Sequence, residues 1–296
     1  MTICVVAFLS SGSTAVANLS RLHTLGRTAQ VADVALKAKG RSNHVLAVAL
    51  TKGYFDMFSA QLCGARRNGV DNIMVLAFDK ESAEFARQNG VPVATGPGEK
   101  LAVSGESEYG TVSFQRVMLY RLRMLRAIAA SGVNVVTMDT DVIPMSPLMK
   151  PRITRLFEKF QMFGQANSGG LFGISGGFIA IAGNVEGTAT LDRVIACHSR
   201  NIQTLEHLIA TKYHDGKFPI DSVYAPLTEQ VCFNDEFNKL PLNRRHVEWN
   251  ILDGNRVYLK NETFNPEVHY AIHNNYAIGE QGKIDRMKSY GFWPCE

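Results

Sequence analysis

The chain has 296 residues, of which 46% are hydrophobic and 20% are charged, and its net charge is +4. This composition is typical of a soluble globular protein with a sizeable core, and no apolar run approaches the roughly 20 residues that a transmembrane segment needs. Residues of both charge signs are interspersed, which argues against a dedicated nucleic-acid binder and is compatible with an anionic small ligand.

The N-terminal segment, residues 1–43, is left without a domain assignment. Ile3–Leu9 is a short apolar run and Ala15–Ala17 resembles a signal-peptidase site, but no Lys or Arg precedes the run. Because a signal peptide normally opens with positive charge, we expect a first strand or a truncated start here. Val31–Lys39 is compatible with a short helix.

The five cysteines are scattered along the chain without a C-x-x-C pair; they are Cys4, Cys63, Cys197, Cys232 and Cys295. An odd and scattered set favours neither a disulfide framework nor a structural zinc site. We expect at least one thiol to be free or paired outside the chain.

The first half alternates between apolar runs and amphipathic stretches. It predicts strands at Asn43–Thr51, at Asn72–Phe78 and from Val91, with helices starting at Phe55 and covering Lys80–Asn89. Such a pattern requires parallel strands joined by right-handed crossovers, that is, a Rossmann-like half-sheet. No G-x-G-x-x-G follows the first strand, so a dinucleotide redox cofactor is not expected.

The rest of the chain continues the alternation after a Gly- and Ser-rich loop over residues 94–110. A helix is predicted at Phe114–Ala130, where most of the four interleaved arginines should face solvent. Further predictions are helices at Ile153–Phe160, Asn184–Lys212 and Pro226–Phe237, a loop at Gln165–Gly170, strands at Ile174–Ala182, Trp249–Leu252, Arg256–Leu259 and from His269, and a terminal helix ending at Tyr290.

Two carboxylates follow the apolar strand Val133–Met138, and prolines then end regular structure. Alternate side chains of an extended chain point the same way, so Asp139 and Asp141 can converge beyond the strand. That end of a strand is where open α/β sheets bind ligands. The pair therefore indicates a hard divalent cation that bridges to phosphate oxygens. The alternative is a solvated polar pair that caps the strand.

Adjacent glycines, Gly176 and Gly177, lie at the start of a predicted strand. They would allow another backbone or a ligand to approach closely, or they would form a simple bulge or bend.

Several stretches together carry a family resemblance over residues 44–293. They are Val45–Thr51 with Tyr54, Gly69–Asp79, Phe114–Met124, Val135–Pro147, Ser175–Phe178, Glu229-Gln230 with Phe233-Asn234, and His273–Tyr276 with Gly279, Lys283 and Gly291–Trp293. Their order and spacing resemble nucleotide-diphospho-sugar transferases of the family-77 type, which are retaining enzymes with the GT-A fold.

The resemblance implies an α/β protein of the GT-A type, with a Rossmann-like mixed central sheet flanked by helices. One domain would cover residues 44–296, with a nucleotide-binding half at 44–147 and an acceptor-side half at 148–296. The chain departs from the family pattern at Arg121, where lysine is frequent, at Glu229, where Asp is usual, and at Tyr276, where Trp is common. Residues 1–43 show no match, and the Golgi anchor of many plant members has no counterpart here.

The resemblance also implies roles for individual residues. Asp139, Asp141, Glu229 and Gln230 would be catalytic, and Asp139, Asp141 and His273 would hold Mn2+ or Mg2+. The residues that would bind the donor are Thr51, Tyr54, Arg121, Thr140, Gly176, Gly177, Gly279 and Lys283. The donor would be a nucleotide sugar such as a UDP-sugar, and the acceptor a glycan or glycoprotein. Retention would use a nucleophile or a same-face displacement. The location would be the Golgi or secretory lumen by the resemblance, and a soluble or cytoplasmic protein is the alternative.

Two rival functions remain open. Asp-x-Asp after a strand also begins haloacid-dehalogenase phosphatases, in which the first Asp is a nucleophile. Ile143 does not fit their motif, and no late Gly-Asp-x-x-x-Asp occurs. A non-catalytic protein that binds sugar nucleotides or glycans is the other alternative.

Overall fold

A computed structural model describes residues 28–95, 111–167, 173–212, 227–254, 262–275 and 280–293. The sequence predictions for Ile3–Leu9, Ala15–Ala17, Arg256–Leu259 and Gly279 lie outside these residues, as does most of the predicted loop at 94–110. Among the described helices, none has an apolar stretch of the length needed to cross a bilayer.

The elements follow each other in an alternating order of strands and helices. They are α1 (28–38), β1 (His44–Leu50), a 3-10 turn (Lys52–Tyr54), α2 (Phe55–Arg67), β2 (Ile73–Ala77), α3 (Lys80–Gln88), β3 (Val93–Thr95), α4 (Val112–Ala130), β4 (Asn134–Met138), β5 (Val142–Pro144), α5 (Met149–Phe157), β6 (Met162–Ala166), β7 (Ile174–Ile181), α6 (Val185–Lys212), α7 (Glu229–Lys239), β8 (Arg245–Glu248), β9 (Ile251–Asp253), β10 (Ala271–His273) and α8 (Glu280–Ser289).

The main sheet has seven strands in the order β3-β2-β1-β4-β7-β6-β8. Strands β1 to β4 are parallel to one another, whereas β7 runs antiparallel to both β4 and β6. Strands from both predicted halves of the chain therefore lie in one sheet. The predicted α/β class with a Rossmann-like mixed central sheet is confirmed.

Helices cover both faces of this sheet, because successive side chains of a strand point to opposite faces. On β1, Val45 and Ala47 pack with residues of α1, α4, α6 and α7. Leu46 and Val48 of the same strand pack with residues of α2, α3 and α5. The continuous apolar runs of the strands follow from burial on both sides.

A second, three-stranded sheet has the order β5-β10-β9. Ile143, Leu252 and Ile272, one from each strand, pack against apolar residues of α2 and α8. Strand β5 starts four residues after β4 ends, and it pairs antiparallel with β10 so that Val142 lies opposite His273. This pairing brings the end of β10 beside the end of β4.

Three local predictions were wrong. Gln165 lies in β6 and not in a loop. Pro144 does not end regular structure but belongs to β5, an edge strand of the small sheet, where the missing N–H is tolerated. Helix α5 begins at Met149, so Pro151 lies in its first turn, where the unpaired N–H groups of a helix make proline acceptable.

The expectation against disulfides was also wrong, because Cys197 and Cys232 form a disulfide; the expectation of at least one thiol that is free or paired outside the chain stays a prediction. They are 35 residues apart in sequence, but the packing of α6 against α7 places their Cα atoms 5.9 Å apart. Cysteine spacing alone does not reveal such a pairing, since it depends on which helix faces meet. The disulfide fixes the helix that carries Glu229 and Gln230.

Candidate functional site

Asp139 and Asp141 lie on a tight turn that links the two sheets. The Asp139 N–H donates to the carbonyl of Gly177 on β7, 2.9 Å away, and the Val142 N–H closes the turn on the carbonyl of Asp139 at 3.1 Å. The segment from Asp139 to Val142 therefore forms a turn and not the extended chain that the sequence predicted. The two carboxylates still converge, because the turn folds them toward His273.

Gln61 of α2 stabilises this turn by hydrogen bonds from its side chain. Its side-chain Nε2 donates to the carbonyl oxygens of Asp139 at 2.7 Å and of Val142 at 2.8 Å, and the residue is fully buried. Sequence reasoning missed this contact. The available signal was a polar residue on the apolar face of α2, next to Phe58 and Leu62.

Asp139, Asp141 and His273 form the candidate metal cluster. Each offers one ligand atom, and these atoms lie within 4.8 Å of one another. Nε2 of His273 is 3.5 Å from Oδ1 of Asp141, which is too far for a good hydrogen bond. Two carboxylates and one imidazole form a donor set that suits a divalent cation, so the residues fit the metal that the sequence predicted.

Gly177 makes room for His273. A Cβ at this position would lie 2.4 Å from Cε1 and 2.6 Å from Nε2 of the histidine, and 3.2 Å from Oδ2 of Asp139. The group that approaches the glycine in the structure is therefore the imidazole of the protein itself. On the other side of the ring, Nδ1 of His273 lies 2.6 Å from Oε1 of Gln165.

Lys283 of α8 lies against the second oxygen of Asp141, at 2.6 Å from Oδ2. Burial would raise the pKa of Asp141, but the charge and hydrogen bond of Lys283, together with His273 when it is protonated, outweigh burial and lower that pKa to about 2. Burial would lower the pKa of Lys283, but Asp141 raises it. Both groups are therefore charged at neutral pH, and the two oxygens of Asp141 face different partners.

Arg121 connects Asp139 to Glu229. Its Nη1 donates to Oδ1 of Asp139 at 2.8 Å and its Nη2 donates to Oε1 of Glu229 at 3.0 Å. Arg121 is 2% exposed and Glu229 is buried, so neither is a surface group. Arg116 and Arg126 on the same helix, by contrast, form exposed ion pairs, as expected for a solvated face.

Helix α7 is docked on β7 by two side chains. Oε1 of Gln230 accepts from the N–H of Gly176 at 3.0 Å, and the amide of Asn234 bonds both backbone groups of Ile174. A Cβ at Gly176 would lie 3.1 Å from Oε1 of Gln230. Both glycines therefore face side chains of the site.

Three further predicted donor-binding residues, Thr51, Tyr54 and Thr140, lie on the same edge of the sheet. Strands β1 and β4 are parallel, with Val48 opposite Met138, so Thr51 follows its strand at the edge where Asp139 follows its own. Tyr54 is close enough to Lys283 to affect the pKa of that lysine. Thr140 lies on the turn between the two aspartates and is largely buried.

Comparison with known proteins gives a family match over most of the chain. Residues 68–287 match the family model described as nucleotide-diphospho-sugar transferase. Among curated proteins, the β-arabinofuranosyltransferase RAY1 of Arabidopsis thaliana is 35% identical over 90 residues, which are 30% of this chain and 17% of that protein. The matched region thus spans less than a fifth of the relative.

Solved glycosyltransferase structures are similar in overall shape at low sequence identity. The glycosyltransferase GlyE of Streptococcus pneumoniae TIGR4 is 12% identical with a TM-score of 0.49, over 86% of this chain and 61% of that one. Mouse xyloside xylosyltransferase 1 is 11% identical with a TM-score of 0.45, over 79% of this chain and 98% of that one.

Proposed function

Because the chain belongs to the family of nucleotide-diphospho-sugar transferases, we propose that it transfers a sugar from a nucleoside diphosphate, in the first place UDP, to a glycan or glycoprotein acceptor with retention of configuration. The membership agrees with the family-77 type and GT-A fold predicted from the sequence. The observation that carries the proposal is the convergence of Asp139 and Asp141 with His273, which comes from a distant part of the chain, within 4.8 Å.

The cluster supports a metal-dependent reaction. Asp139, Asp141 and His273 would hold Mn2+ or Mg2+, which when bound neutralises negative charge on a departing diphosphate. Of these ligands, Asp141 is the best fixed, because its side chain is buried and its second oxygen is held by Lys283. We therefore assign Asp141 as the main ligand and Asp139 as a ligand that can also reach the donor.

Cationic side chains at the same edge support diphosphate binding. Lys283 carries its charge next to Asp141 and is partly accessible, so its ammonium can contact a phosphate oxygen. Arg121 is almost fully buried and already bonds two carboxylates. We therefore assign Arg121 to orienting Asp139 and Glu229 and not to direct contact with the phosphates.

Glu229 and Gln230 are the groups we assign to the sugar. Arg121 links Glu229 to the metal cluster, and Gln230 lies against the backbone of Gly176. Retention needs a nucleophile on the far face of the sugar or a same-face displacement. Glu229 would be the nucleophile in the first route and would stabilise positive charge on the sugar in the second. A glycosyl–Glu229 adduct, detected by mass spectrometry, would separate them.

Two further observations support a choice of compartment and of donor sugars to test. The disulfide between Cys197 and Cys232 favours an oxidising compartment such as the secretory lumen. The similar stretch in a protein named as a β-arabinofuranosyltransferase favours including a UDP-linked arabinofuranose, besides UDP-hexoses and UDP-xylose, among the donors tested.

The test is a donor screen by UDP release with purified protein and Mn2+. We expect slow hydrolysis of one UDP-sugar, abolished by EDTA and restored by added Mn2+. Asp141→Asn should lose this activity, and Asp192→Asn, which removes an exposed carboxylate on α6, should retain it. Binding of UDP-sugars without turnover of any donor, with or without glycan acceptors, would instead indicate a non-catalytic binding protein.

A further inference from the structure

Gln165 occupies an irregular position in the main sheet. Gly164 pairs with Ile179 and Ala166 pairs with Ile174, so the register shifts across Gln165, and the extra residues of this irregularity are on β7. Bulges redirect side chains and are common next to active sites. Here the side chain of Gln165 is fully buried and its Oε1 lies 2.6 Å from Nδ1 of His273.

This contact determines which nitrogen of His273 carries the proton. With the carboxamide oxygen of Gln165 facing the ring, Nδ1 of the imidazole is the donor, because such an oxygen only accepts hydrogen bonds. A neutral imidazole then has its lone pair on Nε2, the atom that faces Asp141. We propose that Gln165 is a positioning residue for metal binding, which holds His273 in the tautomer whose Nε2 can ligate a divalent cation.

The surroundings of the ring show that this orientation is built into the fold. Gly177, on the neighbouring strand β7, leaves space for Cε1 and Nε2 that a Cβ would fill. Gln165 holds the opposite side of the ring, and β10 sets the backbone of His273 by pairing with Val142. Partners of this kind usually account for about 10- to 100-fold in metal affinity.

The inference rests on the proposed metal-dependent function, and its test separates the two. Gln165→Leu removes the acceptor at similar size, Gln165→Glu retains an acceptor, and Gln165→Asn withdraws the acceptor by shortening the side chain by one methylene. Gln161→Leu is the matched control, since Gln161 is a buried glutamine that bonds Asn184 instead of the site. Thermal unfolding identifies the variants that remain folded.

Two measurements are made on each folded variant. The Mn2+ affinity is measured by electron paramagnetic resonance of the free ion, and the tautomer of His273 is measured from its ring 15N shifts with EDTA present. We expect the Nδ1–H tautomer in the wild type and in Gln165→Glu. In Gln165→Leu and Gln165→Asn we expect a mixture of tautomers and Mn2+ binding that is about 10- to 100-fold weaker.

Three outcomes would overturn the inference. The first is a folded Gln165→Leu or Gln165→Asn protein with the wild-type tautomer and Mn2+ affinity. The second is an equal loss of affinity in Gln161→Leu, which would show a general effect on the sheet. In both cases the proposed function stands if the wild type binds Mn2+ and turns over a donor. The third is a wild type that binds no Mn2+, which would also remove the metal from the proposed function.

Discussion

The two aspartates of the turn differ in their surroundings, although they are two residues apart. The Asp141 side chain is 3% exposed and lies between His273 and Lys283. The Asp139 side chain is 42% exposed and is held on one oxygen by the buried Arg121. The Asp141 side thus has a fixed position and a fixed charge, whereas the Asp139 side is open to a ligand and connected to Glu229.

The largest effect is expected from exchanging the buried aspartate. Asp141→Asn removes a ligand charge and the partner of Lys283, so Mn2+-dependent UDP affinity should fall by more than about 100-fold, beyond the usual effect of outer-shell partners. Asp139→Asn should reduce the Mn2+-dependent UDP affinity clearly less. Titration calorimetry with UDP and Mn2+ measures both, and equal losses in the two variants would contradict the distinction between the two sides.

Gly177→Ala tests whether the space beside His273 is required. The new Cβ would lie too close to the imidazole, so the ring must move. We expect Mn2+ affinity to fall by about 10- to 100-fold and the free energy of unfolding to fall by about 1–3 kcal/mol. Gly282→Ala on α8 is the control, because a Cβ there meets no atom within 4 Å; it should raise stability by about 0.5–1 kcal/mol. Unchanged Mn2+ binding in Gly177→Ala would show that His273 does not ligate from this position.

Lys283→Ala tests the Asp141 side for phosphate binding. Because a hydrogen bond to a charged group contributes about 1.5–3 kcal/mol, UDP affinity should fall by about 10- to 100-fold while uridine affinity changes little. Lys288→Ala removes the same charge from an exposed position of α8 and should leave both affinities unchanged. A similar loss for uridine and UDP would mean that Lys283 does not contact phosphate.

The smallest effect is expected from Arg121→Lys on the Asp139 side. A lysine ammonium cannot reproduce the planar guanidinium group, which donates one hydrogen bond to Asp139 and another to Glu229. We expect kcat to fall by about 10-fold with little change in the KM for the donor, as for the loss of one charge-assisted bond. Arg126→Lys, in an exposed pair on the same helix, is the control. A wild-type kcat for Arg121→Lys would show that one positive charge is sufficient there.

Local patterns in the sequence were informative about the elements and about the metal cluster. Buried parallel strands appear in the sequence as continuous apolar runs, and amphipathic helices appear as apolar residues at helical spacing. For this reason the bounds of most predicted elements agree with the structure within a few residues. Asp139 and Asp141 were recognisable because a strand ends directly before them. His273 and Lys283 were found through the resemblance to a family.

Contacts between distant residues were not readable in the same way. Gln165 looked like a loop residue because it begins a stretch of polar and small residues, and its partner His273 is 108 residues away. Gln61, 78 residues before Asp139, looked like an ordinary helix residue. Helical spacing alone did not distinguish Arg121 from its exposed neighbours, since burial depends on which face of α4 meets α7; the family resemblance singled it out.

The sequence by itself determined the α/β class, the order of the elements and the acidic turn, because these depend on hydrophobic periodicity and on residues close together in the chain. Only the tertiary structure decided that Gly177 and Gln165 flank the imidazole, that a disulfide fixes α7, and that one aspartate is buried while the other is open. These features depend on strand register and helix packing, which bring together groups that are far apart in the chain.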